Sequence, residues 1–165
     1  MQRLPEAGFQ LAEADTVGVF EIFIKTTPDR LWEAITDPKL RARYSFGVET
    51  HSDWTPGSEY KASVPGVIDI AAGENIEVDP PRRLVQSFNA LWSDEVKAEG
   101  TSKVTWEIER VSDDSCRLTV VHSELPEGAN PELYGGWPMI LSGLKTLLET
   151  GEPLTTPGSL RYSAA

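Results

Sequence analysis

Two histidines, one cysteine and five tryptophans are the residues of this sequence whose types and spacing bear most on chemistry. His122 stands in the series Leu118, Val120, His122, which alternates with Arg117, Thr119 and Val121. Alternation of this kind puts each set of side chains on its own face of a strand. An imidazole on the apolar face is costly unless its nitrogens are hydrogen-bonded. Two uses are open to it: a core histidine satisfied by a neighbouring polar side chain, or one that orients a ligand or moves a proton. Glu74 and Gln86 share inward parity on their own segments and are the polar companions expected for it. His51, beside Asp53, reads as exposed. Tyr60, Phe88, Trp92, Trp106 and Trp137, with Ile76, Val120, Leu141 and Leu144, have the spacing to face the same interior. They serve there either as plain core or as the wall of an apolar pocket.

Other chemistries lack their residues. With Cys116 as the one cysteine, no intramolecular disulfide can form. On an apolar strand with no activating base beside it in sequence, its thiol reads as structural. One cysteine and two histidines do not make a zinc ligand set. Neither the dinucleotide fingerprint nor the P-loop pattern fits the glycines, and no serine sits in a nucleophile elbow. No cofactor is therefore expected. The formal charge of −11, from 26 acidic against 15 basic residues, repels phosphate backbones and anionic membrane surfaces, which sets nucleic-acid binding aside. The N-terminus lacks the basic and apolar regions of a signal peptide, and no run approaches the ~18 apolar residues of a bilayer span. A cytoplasmic protein that does not insert into membranes is expected.

The elements that must position these residues follow from periodicity. Val19 to Lys25 alternates Phe20, Ile22 and Ile24 against polar neighbours and predicts a strand. Thr27-Pro28-Asp29 and Asp37-Pro38 are two helix starts, giving two short helices in tandem that end near Tyr44. Strands follow at Val48 to Asp53, Glu59 to Val64, Ile68 to Val78, Leu84 to Trp92, Val104 to Glu109 and Cys116 to Glu124, with a bulge suggested at Gly73. The last two make the clearest hairpin. Trp137, Ile140, Leu141, Leu144, Leu147 and Leu148 recur at helical spacing within Tyr134 to Thr150, and Gly151 stands at the left-handed cap. Consecutive strands without crossover helices make this an α+β chain: a curved antiparallel sheet of six or seven strands wrapped around a long C-terminal helix. A single domain, 1–165, is expected, with its core at 17–151 and peripheral arms at 1–15 and 152–165. One helix cannot fill a strongly bent sheet, so a cavity between the two is expected to hold a small apolar molecule.

Four segments carry a family resemblance: Pro28 to Pro38, Asp53 to Ser58, Ile76 to Leu84 and Gly136 to Gly151. In this order they resemble the Bet v 1-like, or START-like (SRPBCC), superfamily. Within it they resemble the family of the activator of Hsp90 ATPase homologue C-terminal domain. The resemblance implies a helix-grip fold and, as function, binding of a hydrophobic or lipid-like ligand between sheet and helix. It also implies two alternatives, a polyketide-cyclase-like enzyme using His122 or Glu74 as acid or base, and a chaperone-interacting domain. An Hsp90 homologue and a homodimer are thus left open as partners. The additional N-terminal domain with which eukaryotic Hsp90 activators grip the chaperone is not expected here.

Overall fold

The computed structural model describes residues 15–157. The expected arms therefore fall largely outside the described residues, apart from position 15 and positions 152–157. Strand β1 (Asp15–Ile24) is followed by α1 (Pro28–Thr36) and α2 (Pro38–Ala42), each opened by a side-chain cap and a proline. Thr27 Oγ1 accepts from the Arg30 amide at 3.3 Å and Asp37 Oδ2 from the Leu40 amide at 2.8 Å. These bonds satisfy amides that have no partner inside a helix's first turn. Then come β2 (Glu49–Ser52), β3 (Glu59–Val64), β4 (Ile68–Asp79), β5 (Arg83–Ala90), a one-turn helix α3 (Asp94–Lys97), β6 (Thr101–Ser112), β7 (Ser115–Pro126) and α4 (Trp137–Thr150).

All seven strands form one antiparallel sheet in the order β1-β7-β6-β5-β4-β3-β2. β2 to β7 is a plain meander, and β1 closes on β7 at the far edge. The first two strands in sequence therefore occupy opposite edges, and α1 and α2 connect them. The sheet curves around α4, which is the helix-grip arrangement. Trp137, Leu141, Leu144, Leu147 and Leu148 of α4 join Leu84, Trp106, Leu118 and Val120 of the sheet and Leu31 and Ile35 of α1 in one buried cluster. Gly143 lets the helix come close, since a Cβ there would lie 3.2 Å from the Tyr44 carbonyl oxygen.

Several element ends differ from the periodicity reading: β1 begins at Asp15 rather than Val19, β5 ends at Ala90 rather than Trp92, and β6 begins at Thr101 rather than Val104. The C-terminal helix starts at Trp137 rather than Tyr134, because a 3-10 turn over Pro131–Leu133 and the pair Gly135-Gly136 intervene. The helix α3 was not expected. Its signal is Ser93, whose hydroxyl accepts from the Val96 amide at 3.3 Å, and it plugs Val96 into a second cluster with Ala90, Leu125, Ala129 and Leu133.

Cys116 is fully buried, donates from Sγ to the Thr26 carbonyl at 3.4 Å, and has its thiol pushed above the ordinary value by desolvation. Both burial and the scarcity of thiolate slow its reactions. A thiol reagent is expected to label the native protein far more slowly than the urea-unfolded chain, as followed by mass. Equal rates would contradict this placement.

Candidate functional site

Between α4 and the sheet lies a cavity of about 120 Å³. Its floor is the sheet, through Tyr60 and Ala62 of β3, Ala71 of β4, Gln86 and Phe88 of β5, and Val104 and Trp106 of β6. Its roof is Trp137 and Ile140 of α4. The remaining wall comes from Arg41 of α2, from Phe46 and Val48 on the way into β2, from Thr50, and from Trp92 and Leu133. Phe46 has a left-handed backbone, φ 57, followed by Gly47 at φ 80. That turn brings its ring against the start of α4, close enough that a Cβ on Gly136 would sit 3.4 Å from it. Trp106 and Trp137 meet edge to face, centroids 5.2 Å apart at 81°, a favourable arrangement of aromatic quadrupoles.

Six of the expected residues line this space: Tyr60, Gln86, Phe88, Trp92, Trp106 and Trp137. Val120, Leu141 and Leu144 are buried in the main cluster beside it and do not border the cavity. His122 is also beside it, at 0 % exposure, and its environment fixes its state. Trp137 Nε1 donates to His122 Nδ1 at 3.3 Å, and His122 Nε2 lies 2.8 Å from Ser102 Oγ. An indole nitrogen can only donate, so Nδ1 must be the bare nitrogen and the proton sits on Nε2, given to the Ser102 hydroxyl. The Ser102 hydroxyl in turn donates a hydrogen bond to the Phe88 carbonyl at 3.5 Å. Desolvation lowers the imidazole pKa from 6.5 to about 4. His122 is thus a neutral core histidine with both nitrogens engaged, and its companions are Ser102 and Trp137, not Glu74 and Gln86.

Glu74 and Ile76 were expected to face inward and do not. Both are exposed, Ile76 at 47 %. The cause is a register slip in the β4–β5 ladder, where Asn75 pairs with Gln86 but Glu77 with Val85. One extra residue, Ile76, is inserted, and a bulge of this kind exchanges the faces on either side of it. Before the bulge Ala71 and Asn75 point in; after it Val78 does. Asn75 fills the place expected for Glu74: its Nδ2 donates to Ser52 Oγ at 2.8 Å and to Ser58 Oγ at 3.1 Å, and its Oδ1 accepts from Gln86 Nε2 at 3.0 Å. Gly73, expected at the bulge, instead marks a close approach. A Cβ there would lie 2.1 Å from the Ser87 carbonyl oxygen, the group that accepts from Tyr60 Oη at 2.8 Å.

The cavity residues that periodicity missed are chiefly Arg41, Phe46, Thr50 and Ile140. Arg41 gave no signal of its own, since a base in the last turn of a short helix ordinarily complements the helix dipole at the surface. Here its guanidinium lies 4.9 Å from the Trp106 ring centroid, and Nη1 donates to the Ile35 carbonyl at 3.0 Å. His51 is exposed as expected and sits 3.0 Å from Glu49 Oε1, while Lys39 holds the other oxygen at 2.8 Å. These two bonds hold the Glu49 carboxyl below its ordinary value. Among the described residues no group of three or more His, Cys, Asp or Glu could hold a metal ion, and no helix is long and apolar enough to cross a membrane.

With the fold and cavity in place, known proteins supply a context. CalU16 from Micromonospora echinospora is similar over 88 % of this chain and 80 % of its own, with 24 % identity and a TM-score of 0.66. An Hsp90 activator from Plasmodium falciparum is similar over 83 % of this chain and 97 % of its own, at 20 % identity and a TM-score of 0.65. The solution structure of an Aha1 dimer from Colwellia psychrerythraea covers 82 % and 98 %, at 17 % identity and a TM-score of 0.66. These likenesses establish the fold. No curated protein matches the chain in sequence. Residues 25–149 match the family described as activator of Hsp90 ATPase homolog 1-like protein. That match spans three of the four segments from which the resemblance was drawn and most of the last, and the chain belongs to this family.

Proposed function

We propose that this domain binds a small hydrophobic molecule in the cavity between sheet and C-terminal helix. The observation that carries the reading is an open space of about 120 Å³ walled by Tyr60, Phe88, Trp92, Trp106 and Trp137. A close-packed interior leaves few voids larger than a water molecule, and a dry apolar cavity of about 150 Å³ is enough to take up benzene. The enclosed part of a ligand is therefore about one ring in size. The cyclase-like alternative called on His122 and Glu74. The first has both ring nitrogens engaged, the second is exposed, and neither borders the cavity. Binding is the better supported use of the space. A docking role toward an Hsp90 homologue or a second copy has its own support in the neighbours' names and in the exposed Val17, Val19 and Phe23 on edge strand β1.

Tryptophans on both sides of the cavity make the test direct. The neutral probe N-phenylnaphthylamine is expected to quench tryptophan emission with saturation at one equivalent, and naphthalene is expected to displace it. Ala62→Leu, which adds bulk to the floor, should weaken uptake. Non-saturable uptake, indifferent to naphthalene and to Ala62→Leu, would overturn the proposal.

A further inference from the structure

Four of the buried polar atoms left without a hydrogen-bond partner among the described residues belong to the wall of this one cavity: Arg41 Nε, Thr50 Oγ1, Trp92 Nε1 and Trp106 Nε1. Three of these are N–H groups that can only donate, and the fourth is a hydroxyl that can do either. Buried donors without acceptors are few in folded proteins because each forfeits its hydration. Their clustering around one space is a surplus of donors that the described residues do not answer, and an acceptor supplied by a bound molecule would answer it.

Arg41 says what kind of acceptor. Its guanidinium is permanently charged, and among the described residues it has no carboxylate within ion-pair distance, although the chain carries 26 acidic residues against 15 basic ones. Arg82, Arg83 and Arg117 each have such a partner, and Arg30, Arg43 and Arg110, for which no ion pair is found among the described residues, are exposed to solvent as Arg41 is not. Glu132 lies at the cavity rim, exposed and outside that distance. With Nη1 engaged on the Ile35 carbonyl, the unbonded edge of the fork is the Nε edge, buried in a residue that lines the cavity. A planar guanidinium edge with two parallel donors is the partner of a carboxylate, which accepts through both oxygens. A doubly charged phosphate would cost more to desolvate in a site with this much aromatic wall.

We propose that the molecule held in this cavity is a monocarboxylate, with a ring-sized apolar body against Phe88, Trp106 and Trp137 and its anionic head at Arg41 and Thr50. The proposal rests on the cavity being the binding site, and the experiment separates the two. Three probes of one shape differ only in the head group: naphthylacetate, naphthylacetamide and naphthylethylammonium. Calorimetric titration is expected to give naphthylacetate at least about tenfold tighter binding than the amide, as suits a charge-assisted pair, and no measurable binding of the ammonium. Arg41→Gln should bring the ratio of acid to amide close to one, while Arg41→Lys, which keeps the charge, should preserve a preference for the acid. Circular dichroism on each variant checks that the fold is retained. If acid and amide bind alike, or the ammonium binds best, the cavity reading stands and the carboxylate proposal is overturned. It is overturned equally if Arg41→Gln folds and keeps the full preference for the acid. If none of the three binds saturably, the cavity reading itself fails.

Discussion

Replacing Trp137 with alanine is expected to destabilise the domain by ~3–5 kcal/mol, the usual cost of emptying a large aromatic site in a core. Three contacts go at once. The indole meets Trp106 edge to face, lies 6.5 Å from the Phe20 ring centroid, and gives its N–H to His122 Nδ1. Losing the last leaves a fully buried acceptor without a donor, itself worth ~1–3 kcal/mol. Trp137→Phe separates the two effects, since it keeps most of the ring and drops the N–H. Its cost should fall near the lower figure. Urea unfolding of both variants measures this, and a loss below ~1 kcal/mol for Trp137→Ala would mean that the start of α4 is not packed as described.

Acidification is expected to remove a comparable amount through a single side chain. His122 is held neutral in the fold with a pKa of about 4, against 6.5 for an ordinary imidazole. Between these values the unfolded chain binds a proton that the folded one refuses, so stability is full above 6.5 and falls as the pH drops toward 4. A gap of this width corresponds to ~3 kcal/mol. The carboxyls of Glu49 and Glu149, both held below their ordinary 4.5, add their own losses only at the acid end of this range. The stretch from about 5.5 to 6.5 is therefore where His122 acts without them. Urea midpoints measured across it should slope steeply in the native protein and much less in His122→Gln, whose amide does not titrate. An unchanged slope would place the titrating group elsewhere.

How much of this the sequence disclosed depended on whether a feature is local. Alternation found β6 and β7 because each strand has one wet face, and Gly151 marked the end of α4 because only a left-handed residue, φ 86, closes that turn cheaply. Inward parity placed Trp106 and Phe88 correctly. It failed at Ile76 because a bulge belongs to the pairing of two strands, and no single strand records it. The partners of His122 were hidden for a related reason. Ser102 lies in the first part of β6, ahead of the apolar alternation that begins at Val104, and Trp137 comes from α4. Arg41 was invisible because its role depends on a ring 65 positions further along, in a strand that periodicity shows only as a strand.

The placement of β1 bears on how the chain reaches this state. Glu21 and Thr119 are paired neighbours across the β1–β7 ladder although 98 positions separate them. Every other strand pair joins neighbours in the chain and can form as a hairpin once its turn exists. β1 is made first and seated last, because its seat does not exist until β7 has been synthesised. Closing so long a loop carries an entropy cost that no nearby contact offsets in advance, and chains dominated by such distant pairings fold slowly for their size. Until then Val19, Phe20, Ile22 and Phe23 stand unpaired on a free strand, and the vacant edge of β7 fits the β1 of a neighbouring chain as well as its own. Crowded synthesis would thus favour exchange of this strand between copies.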